Sequence, residues 1–334
     1  MDIKALGIKE ITFNDIENIK IGHAVNEEAA TGCSVLISEH GMPAAVDIRG
    51  GGPASRETPL LKPLASGDYI HAILLSGGSA FGLEASCGVT EFLESKGIGY
   101  DTSYALVPLV CQSCIYDLCV GASHIRPNKK MGYDACVDAY TNQHRIVTGN
   151  VGAGIGATVG KANGADFMMK SGLGMYAMQY GNLKVGAIVV VNALGDVYDC
   201  QTHRKIAGML NQNKDGFEDC ETALLKSLSQ QTSSNIYTSN TTIGIVVTNA
   251  QFNKMQLQRV ASASHNGYAR TIRPIHTSAD GDSIYAVSVG NVNANVDVVS
   301  SLATEAMARA VNNAVYSADE KYGLLAAKNF INQK

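Results

Sequence analysis

The stretch Asn240-Thr-Thr-Ile-Gly-Ile-Val-Val-Thr-Asn-Ala250 decides how the rest of the chain is read. Ile243, Ile245 and Val247 alternate with Gly244, Val246 and Thr248, an apolar, β-branched run of strand length. Just upstream, residues 229–240 read Ser-Gln-Gln-Thr-Ser-Ser-Asn-Ile-Tyr-Thr-Ser-Asn, the composition of an exposed loop. A polar loop thus feeds straight into a buried strand, with Thr241 at the junction. A cut between Asn240 and Thr241 would leave Thr241 with a hydroxyl and a free α-amine on adjacent carbons. Such an amine has a reference pKa of about 7.7–8.0 against about 10.4 for lysine, so roughly 400-fold more of it is neutral near pH 7. An N-terminal amine is an established base for a hydroxyl nucleophile in acyl transfer. An ordinary, uncut strand start is the alternative that this stretch alone leaves open.

Working outward, 334 residues suit two average domains or one large domain of mixed helix and strand. Charged residues make up 17% and apolar residues 46%, which implies much buried surface, part of it between subunits. A net charge of −4 without a long Lys/Arg run argues against a nucleic-acid partner. Arg126–Lys130, the densest basic spot, reads as a solvated turn around Pro127. The first 25 residues show no apolar leader segment, and no apolar run reaches the 18–20 residues of a membrane span. The eight cysteines are therefore expected to be reduced thiols of a cytoplasmic protein. Cys111-Gln-Ser-Cys114 invites a metal or redox reading, but no second ligand pair stands at a suitable spacing. No cofactor is expected.

Taken in order, Cys33–Ser38 and Ala44–Arg49 read as strands flanking Gly41, followed by a glycine-rich loop at Arg49-Gly-Gly-Gly-Pro. Ala72–Leu75 is a strand, and the segment from Ser76 opens a helix that stops at Lys96-Gly97. Ser79 fails the Gly-x-Ser-x-Gly elbow because the last glycine falls at position 82, so it is expected to be a helix N-cap. Gly152-Ala-Gly-Ile-Gly156 misses both dinucleotide and phosphate-loop patterns, and reads better as close-packed backbone beside Lys161. Lys161 is either functional or a solvated loop lysine. Val185–Val191 is a strand ending at Asn192, whose side chain is placed either to donate to an oxyanion or to form a turn. Residues 218–228 suggest a short helix, and Asn253–Tyr268 an amphipathic one with Met255, Val260, Ala261, Ser264 and Tyr268 on its apolar face. Asp280-Gly-Asp282 precedes the strand Ile284–Val289; the two carboxylates either orient a nucleophile or form a solvated turn. Val298–Tyr316 is a helix striped by Ala303, Met307, Ala310, Val311 and Ala314. Elements come in runs rather than strict alternation, which favours one α+β domain with helices layered on antiparallel sheet.

These pieces resemble the L-aminopeptidase/D-esterase family, which includes β-aminopeptidases and nylon-oligomer hydrolases. The resemblance rests on Ile21-Gly-His23, Val46-Asp-Ile-Arg-Gly-Gly-Gly-Pro53, Arg56-Glu-Thr58, Leu75–Leu83, Gly152–Lys161, Val191–Val197, Asn240-Thr-Thr242 and Arg273-Pro-Ile-His-Thr277 with Asp280-Gly-Asp282. It implies a four-layer αββα sandwich that cuts itself before Thr241 into residues 1–240 and 241–334. It further implies that Thr241 is the nucleophile, its new amine the base and Asn192 the oxyanion donor. Lys161 and Tyr116 match assisting positions, and Asp280 with Asp282 the acidic pair of the small chain. Two aspartates there look like the nylon-oligomer branch, since many aminopeptidase members carry Ser and Glu. The family usually shows Pro and small residues where this chain has Cys111–Cys114. The implied partners are a small peptide or amide substrate and further copies of the chain, in a tetramer of processed protomers. Two other readings compete: an acyltransferase similar to the ornithine acetyltransferases, which carry Lys-Gly-Thr where this chain has Ser239-Asn240-Thr241, and a binding protein that kept the fold without catalysis.

Overall fold

The computed structural model describes every residue except 1, 2, 4, 143, 228–239 and 332–334. Most of the polar segment expected at 229–240 therefore lies outside the described residues, whereas Asn240 and Thr241 are within them.

Two sheets stack face to face. The six-stranded sheet contains β1 (Lys9–Ile11), β4 (Ala44–Ile48), β8 (Leu173–Tyr180), β9 (Leu183–Val190), β10 (Ile243–Ala250) and β11 (Ser283–Val292), in the order β1-β8-β9-β10-β11-β4. The five-stranded sheet has the order β2-β3-β6-β7-β5, from β2 (Lys20–Asn26), β3 (Thr31–Met42), β5 (Ala54–Arg56), β6 (Ile70–Ser76) and β7 (Val110–Cys114). The chain passes from one sheet to the other at Pro43, between β3 and β4. Helices α1 (Ala85–Ser95) and α2 (Lys129–Thr141) cover the outer face of the smaller sheet. Helices α4 (Lys254–Thr271) and α5 (Val296–Ser317) cover the larger, while α3 (Cys220–Ser227) lies apart. The result is the expected αββα sandwich in one domain.

Alternation along β10 explains its place at the centre. Ile243, Ile245 and Val247 point into the core between the sheets, where they meet Leu36, Ile73 and Leu75. Val246 points the other way, into the core beneath α4 and α5 with Met307 and Val311. Burying both faces of a strand calls for a continuous apolar run, and β10 supplies one. A Leu→Ala change in such a core typically costs about 2–5 kcal/mol.

The expectation of antiparallel sheet needs correction. β10 and β11 run parallel, with Ile243 beside Ser283, and β6 and β7 run parallel, with Ser76 beside Cys114. Alternation reports which face a residue takes but not which way the neighbouring strand runs. The parallel pairs matter to the site, because each brings two strand ends to the same edge.

Two local expectations also change. Ser79 does not cap the helix through its side chain; Gly78 holds the cap position in a left-handed conformation, and Ser79 itself has φ of 55°. Met255 is exposed rather than on the apolar face of α4, and Leu257 takes the buried position. The cap of α4 is Asn253, whose side chain accepts from the Gln256 N–H while Gln256 accepts in return from the Asn253 N–H. Among the described residues no helix is long and apolar enough to cross a membrane.

Candidate active site

Register assembles the site at one edge of the sandwich. Antiparallel pairing of β9 with β10 sets Val190 opposite Ile243, so the residues just beyond each strand, Asn192 and Thr241, face one another. Thr241 N–H donates to the Asn192 carbonyl at 2.8 Å. Parallel pairing of β10 with β11 then sets Asp282 beside Thr242, whose N–H donates to Asp282 Oδ1 at 2.6 Å. The nucleophile candidate is thus held by backbone on one side and its successor by a carboxylate on the other. The Thr241 hydroxyl lies against the carbonyl oxygen of Asn240, the bond expected to be cut. Thr241 is 4% exposed and Asn240 2%.

Asn192 is fully buried and its amide bonds to Thr158, Lys161 and Tyr116 rather than closing a turn. Its side-chain oxygen accepts from Lys161 Nζ at 2.8 Å and from the Thr158 N–H at 3.1 Å. Because both donors claim that oxygen, the amide orientation is defined, and Nδ2 points toward the Tyr116 carbonyl at 3.0 Å. Tyr116 therefore joins the site through its main chain. Lys161 Nζ also reaches the Asn192 carbonyl at 3.3 Å. Burial lowers the Lys161 amine to about 8, against the opposing pull of Cys119, Asp280 and Asp117. Lys161 is not a loop lysine in solvent.

Asp280 and Asp282 are also fully buried, so the solvated-turn reading fails for them. Their environments differ. Asp282 Oδ2 accepts from the His276 ring Nδ1 at 2.8 Å and from the His276 N–H at 3.2 Å, in addition to the Thr242 bond on Oδ1. Asp280 accepts from the Thr277 N–H at 2.6 Å through Oδ2, while its Oδ1 is buried without a hydrogen-bond partner among the described residues. Burial, and then the charge of Asp282, raise the Asp280 carboxyl to about 6, opposed by the Thr277 bonds and Lys161. The pair is divided: one member with both oxygens taken, the other with an oxygen to spare.

Glycines allow this packing. Gly50 has φ of 93°, and a Cβ there would lie 2.2 Å from the Asp280 carbonyl oxygen. The loop it belongs to clamps the acidic segment through Arg49 N–H to the Asp282 carbonyl (2.7 Å) and Gly52 N–H to the Asp280 carbonyl (2.9 Å). Gly160, with φ of 76°, precedes Lys161, and a Cβ there would lie 2.1 Å from Met209 N. Both positions need the absence of a side chain.

The Cys111–Cys114 segment lies within strand β7. Burial pushes both thiols up to about 12, so they are un-ionised at neutral pH. Ser113, between them, bonds across the sheets to Tyr285 (2.8 Å) and Ser283 (3.0 Å), next to Asp282. Three residues at the site escaped sequence reasoning. Thr158 holds Asn192. His276 holds Asp282. Asp117, raised to about 6 by burial, accepts from Thr31 Oγ1 and the Gly78 N–H and so ties β3 to the turn after β6. His276 stood inside the quoted motif Arg273–Thr277 and Asp117 beside Tyr116, which was the available signal.

The model of peptidase family S58 matches residues 10–327. This chain belongs to that family. An uncharacterized aminopeptidase of Mycobacterium leprae is 36% identical, over 94% of this chain and 92% of that protein. A 6-aminohexanoate-oligomer endohydrolase of Kocuria sp. is 29% identical, over 92% and 87%. Among solved structures, an L-aminopeptidase D-Ala-esterase/amidase of Ochrobactrum anthropi, described as a variant of the Ntn hydrolase fold, superposes with a TM-score of 0.67. It is 15% identical, over 94% of this chain and 90% of that one, so this likeness concerns the fold alone. The S58 chain is accordingly a hydrolase of amide bonds.

Proposed function

We propose that this enzyme cuts its own Asn240–Thr241 bond and then uses Thr241 as an N-terminal nucleophile to release residues from small peptides, amides or related oligomers with a free amino end. The observation that supports this most is the buried convergence on Thr241 of Asn192, whose carbonyl accepts the Thr241 N–H and whose amide is oriented by Lys161, and of Asp282, which holds Thr242. In the first reaction the hydroxyl oxygen attacks the Asn240 carbonyl carbon and passes its proton to a base, which returns it to the Thr241 nitrogen as the C–N bond breaks and the α-amine is freed. Residues 1–240 are then held to Thr241 as an ester, which water hydrolyses. Thr241 has no α-amine until the C–N bond breaks, so another group accepts the proton from its hydroxyl in that first step. Asp280, with its spare oxygen, fits that role better than Asp282, whose oxygens are both engaged. In turnover the freed amine serves as base, and Asn192, oriented by Lys161 and Thr158, donates to the oxyanion.

Acyl transfer to a second substrate is the runner-up, and the endohydrolase relatives favour water as acceptor. The paired aspartates point toward oligomer-type amides as well as peptides. A panel of β-peptides, L- and D-aminoacyl amides and aminohexanoate oligomers discriminates among them. The same reading makes the working unit a cytoplasmic tetramer of processed protomers. Intact mass and light scattering on one sample test both parts. Chains 1–240 and 241–334 in a tetramer are expected; a single uncut chain refutes the cut, and a lone protomer the assembly.

The carboxyl and amine values give the pH dependence a sign. Below about 6 Asp280 holds a proton and cannot accept one; above about 8 Lys161 loses the charge it brings to Asn192. The first-order rate of self-cleavage is therefore expected to be highest between about pH 6 and 8 and to fall on both sides. A rate that stays level from about pH 5 to 9 would contradict both assignments.

A further inference from the structure

We infer that His276 is a positioning residue: through its ring Nδ1–H it fixes the Asp282 carboxylate that in turn holds the residue after the nucleophile. The inference rests on the reading of Thr241 given above.

Three observations carry it. First, Asp282 is fully buried, and His276 gives its Oδ2 two contacts, from the ring at 2.8 Å and from the backbone N–H at 3.2 Å. The other oxygen of the same carboxylate holds the Thr242 N–H at 2.6 Å. One rigid carboxylate therefore connects the His276 ring to the peptide group that follows Thr241. Second, His276 has φ of 60°, a left-handed conformation that a non-glycine residue adopts only at a cost. That conformation is what aims both the N–H and the ring of one residue at one oxygen. Third, the ring is fixed from behind. His265 packs edge-on against it at 4.7 Å between centroids, and His265 Nε2 is itself tied to the Asp47 carbonyl at 3.1 Å. Tyr268 completes the wall, with centroids 6.2 Å from His276. Burial lowers His265 to about 4, helped by His276 and Arg49, so this wall stays neutral and does not compete for Asp282.

Because a carboxylate oxygen accepts, the His276 proton belongs on Nδ1. The arrangement extends the site by one shell: Thr241 and Thr242 leading into β10, Asp282 just before β11, and His276 on the segment that precedes it. Its function is to keep Asp282 from turning away, so that the hydroxyl of Thr241 stays on the Asn240 carbonyl during cutting and on the substrate afterwards.

The test compares His276→Gly with His276→Asn. Both residues accept left-handed backbone and both remove the ring, so packing lost is similar. Only Asn restores a side-chain N–H in reach of Asp282. If the donor matters, His276→Asn should cut and turn over within about fivefold of the natural chain, and His276→Gly should be slower than His276→Asn by about tenfold or more, the worth of a hydrogen bond to a charged group. Equal rates in the two variants would overturn the donor role and leave only packing. A second measurement does not depend on either variant folding. Nitrogen-15 NMR of the histidines in the full-length Thr241→Ala chain should show His276 protonated on Nδ1, and a proton on Nε2 alone would overturn the inference. If the natural chain proves uncut at Asn240–Thr241, the proposed function fails, while the NMR result still decides the His276–Asp282 bond.

Discussion

Thr241→Ala is expected to purify as one uncut chain of 334 residues with amide hydrolysis at background. The hydroxyl that lies on the Asn240 carbonyl is the atom this change removes. Deleting a nucleophile of this kind typically costs about 10⁴-fold or more. The loss of a hydroxyl and a methyl from a buried site costs about 1–2 kcal/mol of stability. That is too little to unfold a domain whose sheets and helices enclose three large apolar cores. Activity and folding thus separate. Thr241→Ser keeps the hydroxyl but loses the methyl that restricts χ1, so it should still cut, more slowly. Intact mass decides the matter. Cleavage directly after Asn240 in the Thr241→Ala chain would show that another group breaks the bond.

The strand that carries Thr241 was legible because its alternation is strict and both its faces are apolar. Ile243, Ile245 and Val247 fill one core and Val246 the other, as the pattern requires. The helices of the outer layers were legible for the same reason, and Ala303, Met307, Ala310, Val311 and Ala314 are all buried. Met255 misled because it lies five residues before Val260, about 140° round the helix from it, whereas Leu257, three residues before, shares the buried face. Strand direction was not legible. Nothing in residues 243–250 or 283–292 distinguishes a parallel from an antiparallel partner, and that choice is what brings Asp282 to Thr242.

The candidate site was legible in its residue types and not in its divisions of labour. Two aspartates two apart gave no sign that one would have its oxygens saturated and the other would not, because the difference comes from His276 and Thr277 on the preceding turn. Tyr116 drew notice as a side chain, whereas its carbonyl makes the contact with Asn192. His276 stood inside a quoted motif without a role, since a histidine's partner is set by the backbone conformation it adopts, here φ of 60°.

Asn192→Ala is expected to lower amide turnover per cleaved chain by about 10²–10³-fold, the usual cost of one oxyanion donor, or roughly 3–4 kcal/mol. The substitution isolates that donor better than most. Thr241 is held by the Asn192 backbone carbonyl at 2.8 Å, which alanine retains, so the nucleophile keeps its place. The side-chain oxygen, by contrast, receives Lys161 and Thr158, and this orients the amide so that Nδ2 faces the Tyr116 side of the site. Removing the amide therefore removes a directed N–H and takes from Lys161 Nζ its 2.8 Å partner while leaving its contact with the Asn192 carbonyl at 3.3 Å. The displaced ammonium retains some of the electrostatic effect, which sets the lower end of the expected range. Self-cleavage should slow by a similar factor, because the same oxyanion forms on the Asn240 carbonyl. The two effects are separated by long incubation, with hydrolysis then normalised to the fraction of chains cut as read by mass. Turnover per cleaved chain equal to that of the natural enzyme would remove Asn192 from the chemical step and leave it only the placing of Thr241.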